Sequence, residues 1–268
     1  MYFGKSKYIE KKECGMIFTV VNQKGGVGKT TTAVHGAAGL ARRGYKTLLV
    51  DLDAQGNTAD TLGIEAGNDL YPWLIGNKKV SAIGVEAREN LMVIRSDKET
   101  AKIKTILAGE PFREMILINH LHKYQLDYEV VVLDCPPSVD VLHTAALMAA
   151  DRVIIPTKLE QLSSKGVSEM MRAMATLRQQ PTCRCELAGI IPTFYDKVTS
   201  ESHIQLLNLT KAFNGKVWPV IPQDTQVREA SRAGQTLFEF APRSRAGEAY
   251  DQVVDRMEVI FRDGKKRR

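Results

Sequence analysis

No run of about 18 consecutive apolar residues occurs anywhere in this 268-residue chain, so it offers no candidate for a membrane-spanning helix. The opening residues, MYFGKSKYIEKKECG, carry charge but no apolar core of signal-peptide length, and cytoplasmic residence is the expectation. Cysteine is scarce. The four present, Cys14, Cys135, Cys183 and Cys185, fit a reducing compartment. The closest-spaced pair, Cys183-x-Cys185, has the wrong spacing and too few thiolates for an iron–sulfur carrier. The five histidines show no metal-site grouping, since His120 and His122 lie two apart on a predicted helix and point to different faces. Internal repeats and long Gly/Ser/Pro linkers are also missing, which points to one domain.

The body of the chain lacks an excess of either charge. The formal net charge is +6, yet residues 1–15 hold four lysines against two glutamates, and residues 262–268 hold five cations against one aspartate. Those two ends carry the whole excess, so net charge alone does not place a polyanion on the folded surface. The expected organisation is a loose arm over 1–15, a domain over 16–262 and a basic tail over 263–268.

Short apolar runs at 17–21, 47–50, 91–94, 129–133, 152–156, 187–191 and 217–220 alternate with helical patterns. Nearly continuous apolar runs of this length suit strands buried on both faces of a parallel sheet. Helices are predicted over 30–43 (closed by Gly44), 111–124, 139–149 and 164–178, the last stopped by Pro181. The alternation predicts a doubly wound α/β fold, with a mostly parallel sheet of about seven strands and helices on both faces.

Residues 22–32 read N-Q-K-G-G-V-G-K-T-T-T, between the first strand and the first helix. An ordinary P-loop carries glycine where Gln23 stands here. Instead Lys24 opens the loop, and Gly25, Gly26 and Gly28 let backbone N–H groups converge on phosphate oxygens at a helix N-terminus. Val27 and Thr31 complete the cradle, Lys29 can reach the β- and γ-phosphates, and the Thr30 hydroxyl can hold Mg²⁺. This string resembles the deviant Walker A loop of the ParA/MinD ATPases. The resemblance implies ATP and Mg²⁺ as ligands. It also implies that Lys24 crosses a dimer interface to the partner's nucleotide.

Two more segments extend the resemblance. Residues 51–57, D-L-D-A-Q-G-N, are similar to the family's switch element; by that match Asp53 orients the attacking water and approaches Mg²⁺, while Asp51 supports the loop. Residues 130–138 end an apolar run in Asp134-Cys135-Pro136-Pro137, similar to a Walker B aspartate that binds Mg²⁺ through water. Phosphoryl transfer rests on positioning and charge neutralisation, so no separate base is required. Further similarity at 220–224, 228–230 and 238–246 is of the ParA/Soj type. It implies that Pro222 and Asp224 sit beside the adenine, with Thr193 and Phe194 near the same pocket. The resemblance spans about residues 16–262. The loop begins near residue 22, so the N-terminal helix-turn-helix domain of one subclass is expected to be absent.

The family's DNA contacts are attributed to basic residues displayed across the nucleotide-bound dimer. Here two commonly basic positions are Val198 and Gln226, but Lys197, Arg228, Arg232 and Arg245 remain as candidates. With no interleaved aromatics for base stacking, binding is expected to the phosphate backbone, without sequence preference and sensitive to salt. A MinD-like membrane ATPase is the main alternative, since Tyr250, Val253, Val254, Met257, Ile260 and Phe261 form a helical apolar stripe. The acidic Asp251, Asp255 and Glu258 beside it favour a terminal helix packed on the core. The expected protein is a nucleoid-associated ATPase, slow without a partner. It forms a homodimer with ATP, coats DNA, and positions a plasmid or chromosome region until a ParB-like or other adaptor triggers hydrolysis. A positioner of protein cargo shares every one of these features.

Overall fold

The computed structural model describes residues 15–123, 128–160 and 163–266. Seven strands form one sheet: β1 (Met16–Val20), β2 (Thr47–Asp51), β3 (Val85–Arg88), β4 (Leu91–Ile94), β5 (Val130–Asp134), β6 (Arg152–Lys158) and β7 (Glu186–Thr193), in the order β3-β4-β2-β5-β1-β6-β7. All neighbouring pairs are parallel except β3 with β4. The helices are α1 (Lys29–Arg42), α2 (Asn57–Leu62), α3 (Leu70–Leu74), α4 (Val80–Ile83), α5 (Thr100–Ala108), α6 (Ile116–Lys123), α7 (Val141–Ala149), α8 (Ser163–Leu177), α9 (Ser200–Ala212), α10 (Gln226–Arg232), α11 (Leu237–Phe240) and α12 (Arg245–Lys266).

The central strands read as unbroken apolar runs because both of their faces are covered. Along β5, Val131 and Leu133 join a core shared with α5, α6, α7 and α8, while Val130 and Val132 join the opposite core with α1 and α12. Strand alternation sends successive side chains to opposite sides. This is the doubly wound α/β sandwich the sequence predicts.

The sheet has the expected seven strands, but one of them is not where it was expected. Residues 217–220 form no strand; they run beside β7 with scattered backbone hydrogen bonds, such as Trp218 N to Ile190 O at 2.8 Å, and with isolated bridges at Ile190–Val217 and, just past both segments, Tyr195–Pro222. Pro219 and Pro222 lack the N–H that a continuous ladder requires. The seventh strand is β3 instead, at the other edge, and its side chains are half-buried or exposed. An edge strand with little apolar content leaves no periodic signal.

The predicted helix over 111–124 is broken at its start. Phe112 adopts a left-handed conformation (φ 56°), followed by a 3-10 turn at Arg113–Met115 and then α6. Tyr124 lies outside the described residues, as do residues 1–14 of the expected arm. At the other end α12 continues through Lys266, so most of the expected basic tail is helical, and the Lys265 ammonium meets Glu129 at 2.7 Å.

The apolar stripe of α12 is consumed by packing. Tyr250, Val253, Val254, Met257 and Phe261 are buried in the core with α1, each burial of that kind contributing about 1.5–3 kcal/mol. Small residues on α1 permit the approach: a Cβ on Gly39 would lie 2.3 Å from Val254, and one on Gly36 would lie 2.9 Å from Met257. The acidic face of α12 is likewise paired, with Arg43 reaching Asp255 and Glu258 at 2.6 Å each.

Candidate functional site

The loop after β1 is held from three sides. The buried Asn22 amide donates to Pro156 O of β6 at 2.8 Å, while its Oδ1 accepts the Lys24 N–H at 3.0 Å. The Thr193 hydroxyl at the end of β7 donates to Val27 O at 3.0 Å. Gly26 (φ 69°) and Gly28 (φ 88°) take left-handed conformations that side chains rarely adopt, and Gly28 directly precedes α1. A Cβ on Gly25 or Gly26 would meet nothing within 4 Å, so the loop rims an open space in front of the helix N-terminus. No acidic residue occupies the first turn of α1, which leaves its positive dipole end free for an anion.

The two lysines of the loop behave differently. Lys29 is nearly buried, and its Nζ donates back across the loop to Lys24 O at 3.0 Å. Burial depresses its pKa, opposed by the nearby Asp134 and Asp53 carboxylates. Lys24 points away from this cradle; its side chain is 57% exposed and pairs with Glu160, which also pairs with Lys158. A cleft of about 380 Å³ opens there, lined by Gln23, Lys24, Thr157, Lys158, Lys165 and Glu169 among others.

Three carboxylates converge opposite the loop because β1, β5 and β2 are neighbours. Asp134 at the end of β5 stands in register with Val20 of β1 and with Asp51 of β2. Asp51 is buried and holds the following loop, accepting the Asp53 N–H at 2.9 Å and the Thr58 N–H at 3.3 Å. Burial pushes its pKa up to about 7 against the pull of these hydrogen bonds. Asp53 is half-buried, and its Oδ1 accepts the Gln55 N–H at 3.1 Å.

Asp134 is the unusual member. It is fully buried, and neither carboxylate oxygen has a hydrogen bond of normal geometry. Burial, then the Asp51 charge, raise its pKa well above the carboxylate range, partly relieved by the nearby Thr30 hydroxyl and the Lys29 ammonium. A buried carboxylate without partners is costly. Thr30, Asp53 and Asp134 therefore fit a hard divalent cation, whose charge would supply the missing stabilisation.

The remaining predicted residues divide into two groups. Pro222 and Asp224 lie on the segment beside β7: Tyr195 N donates to Ile221 O, and Gln223 N to Tyr195 O. Both Asp224 oxygens are engaged, accepting Gln226 N at 3.1 Å and Ala246 N at 3.2 Å, which ties the starts of α10 and α12 together. Phe194 is left-handed (φ 54°) and exposed, with the Lys158 ammonium over its ring. Lys197, Arg228, Arg232 and Arg245 are all exposed and lie outside the carboxylate cluster. Arg228 and Arg232 share α10; Arg245 opens α12 and donates to Gln223 O at 3.3 Å.

Sequence reasoning passed over several residues that build this end. Asn22 offered a faint signal, a polar residue at the close of a buried strand. Glu160 lies 136 positions from Lys24 and offered none. His35 is buried on α1, with Nδ1 2.7 Å from Thr31 O and Nε2 accepting the Leu237 N–H at 2.9 Å. Burial lowers its pKa to about 4, which keeps the ring neutral at physiological pH.

The chain is similar to known proteins in sequence and in fold. An AAA domain family model matches residues 15–187. The chain is 36% identical to the chromosome-partitioning ATPase Soj of Thermus thermophilus, over 91% of this chain and 94% of that protein. It is 34% identical to the sporulation initiation inhibitor protein Soj of Bacillus subtilis, over 88% and 95%. Among solved structures, a cobyrinic acid a,c-diamide synthase from Mycobacterium smegmatis, with an ATP analogue and magnesium bound, superimposes with a TM-score of 0.80 at 31% identity, covering 93% of this chain and 97% of that one.

Proposed function

The chain belongs to the ParA/Soj group of deviant Walker A P-loop ATPases, and from that premise we propose an ATP-dependent DNA-coating switch that positions cargo. ATP binds with its phosphates on the loop of Gly25, Gly26, Val27, Gly28, Lys29, Thr30 and Thr31, and its adenine beside Pro222 and Asp224. Thr30 and Asp134, with Asp53 beside them, would hold Mg²⁺, which would supply neutralisation of phosphate charge. Lys29 adds a fixed positive charge to the transferred group, and Asp53 orients the attacking water. Two ATP-bound copies close face to face, and each Lys24 reaches its partner's phosphates.

The observation that carries this reading is the division between the lysines. Lys29 serves its own loop. Lys24 is exposed and paired with Glu160 away from the cradle, so it is surplus to a single-chain site and could exchange that partner for another copy's phosphates. The dimer then presents Lys197, Arg228, Arg232 and Arg245 twice, which raises effective valency for the phosphate backbone of any duplex. A partner carrying an adaptor function, ParB-like or specific for a protein cargo, triggers turnover that is slow without it. The membrane-anchored alternative is weakened because the apolar stripe of α12 is already buried.

Sedimentation with a non-hydrolysable ATP analogue tests the division of labour. Lys24→Ala is expected to keep nucleotide binding but lose the ATP-dependent dimer and hydrolysis. An unchanged dimer fraction together with unchanged turnover would reduce Lys24 to a surface charge.

A further inference from the structure

Arg88 ends the edge strand β3, away from the phosphate loop, yet its guanidinium gathers three segments. Nη1 donates to Leu62 O at the end of α2 (3.2 Å) and to Ala87 O (2.6 Å). Nη2 donates to Gly234 O, just past α10, at 3.0 Å. Nε and Nη2 engage the Glu239 carboxylate of α11 at 2.5 and 3.3 Å. A planar fork with several fixed donors can span acceptors on separate elements, which the single ammonium of a lysine cannot reproduce.

Each gathered segment leads back to the phosphate end. Helix α2 hangs from Asp51 through the Thr58 N–H. Helix α11 is fixed by Glu239, which accepts Thr236 N at 2.7 Å, and by Leu237 N donating to His35 of α1. Helix α10 carries Arg228 and Arg232. It meets α2 backbone to backbone: a Cβ on Gly63 would lie 2.8 Å from Gly234, and a Cβ on Gly234 would lie 2.5 Å from Gly63. Both glycines are left-handed (φ 63° and 66°), so the contact tolerates no side chain. The close backbone approach, with the carbonyls of Leu62 and Gly234 on one guanidinium, ties the end of α2 to the end of α10.

We propose that Arg88 is a positioning residue that couples the nucleotide state at the Asp51–Asp53 segment to the placement of the α10 arginines. The inference rests on the reading of α10 as a phosphate-backbone contact. It makes ATP-dependence of DNA binding partly intramolecular, in addition to the doubling of valency on dimerisation.

The test uses the full chain with Arg88→Met and Arg88→Lys, the lysine variant retaining the charge opposite Glu239 so that folding is kept. Two readouts are compared with and without a non-hydrolysable ATP analogue: affinity for a random-sequence duplex, and amide hydrogen exchange over residues 226–232. For the wild type, nucleotide is expected to strengthen DNA binding and to change exchange in α10. Both variants should keep ATP affinity within about twofold while the nucleotide-dependent gain in DNA affinity falls at least about fivefold and the exchange response is lost. Variants that retain both responses overturn the role of Arg88, as does a wild type whose α10 exchange ignores nucleotide. A wild type with a nucleotide-dependent exchange response but no DNA binding would overturn the DNA reading alone, provided the Arg88 variants abolish that response.

Discussion

The phosphate end and the arginine face are built in contrasting ways. At the first, short sequence segments meet at the C-terminal ends of adjacent central strands, where Lys29, Asp51 and Asp134 are buried and hydrogen bonds hold the backbone of an otherwise open loop. At the second, Arg228 and Arg232 stand exposed on a seven-residue helix whose position depends on contacts from β3, α2 and α11. Chemistry that must place a water molecule against a phosphorus atom needs fixed geometry. Attraction to a uniformly charged polymer needs only that cations be presented together. The phosphate end should therefore be brittle to substitution and the arginine face tolerant of it.

The largest expected effect is at the joint between the two regions. His35 must stay neutral to accept the Leu237 N–H, and its folded-state pKa is lowered from 6.5 to about 4. The unfolded chain therefore binds the proton more tightly. The stabilising contribution is fully present above pH 6.5 and is lost as pH falls toward about 4, amounting to about 3 kcal/mol. The depressed pKa of buried His143 acts in the same direction. Urea unfolding between pH 7.5 and 4 is expected to show the advantage of wild type over His35→Gln shrinking across that window. Parallel curves for the two proteins would remove His35 from the acid response.

Next in size is Asp53→Ala, which should leave the loop and Asp134 able to hold Mg·ATP yet lower turnover more than about tenfold, equivalent to about 1.4 kcal/mol. The ATP-bound dimer should accumulate. A collapse of ATP affinity would instead make Asp53 chiefly a metal or structural ligand, and the phosphate end would be less finely divided than described.

Smaller and more graded effects are expected on the arginine face. Neutralising Arg228 and Arg232 together should weaken binding to all duplexes alike and flatten the salt dependence, by roughly one unit of slope for each phosphate no longer neutralised. ATPase activity without DNA should be unchanged. Deleting residues 263–268 should do less still, because the described part of that segment belongs to α12 and Lys265 is engaged with Glu129. If the deletion outweighs the double arginine variant, the polyanion contact lies at the chain end and not on α10.

This contrast also explains what was legible in the sequence. The glycine loop, Asp53 and Asp134 are marked by local strings, because phosphate binding needs particular residues at particular spacings along one strand–turn–helix. The sheet core was legible from apolar runs buried on both faces. Strand β3 was not, since a half-exposed edge carries no periodic signal, and the apolar run at 217–220 misled because Pro219 within it and Pro222 just after it lack the N–H a ladder needs. The roles of Glu160, His35 and Arg88 depend on partners 136, 202 and 146 positions away, respectively. Contacts at that separation are fixed by the tertiary fold and leave no mark in a sequence window.

The proposal that ATP turns this protein into a DNA-binding dimer stands or falls on where the protein is retained. Its most direct test measures retention on random-sequence duplex and on anionic liposomes, with and without ATP, across low to moderate salt. Retention on DNA is expected to require ATP, to be similar for unrelated sequences and to fall steeply with salt, with no ATP-dependent retention on liposomes. Retention on liposomes alone would contradict it, and would require α12 to leave the core and serve as a membrane anchor.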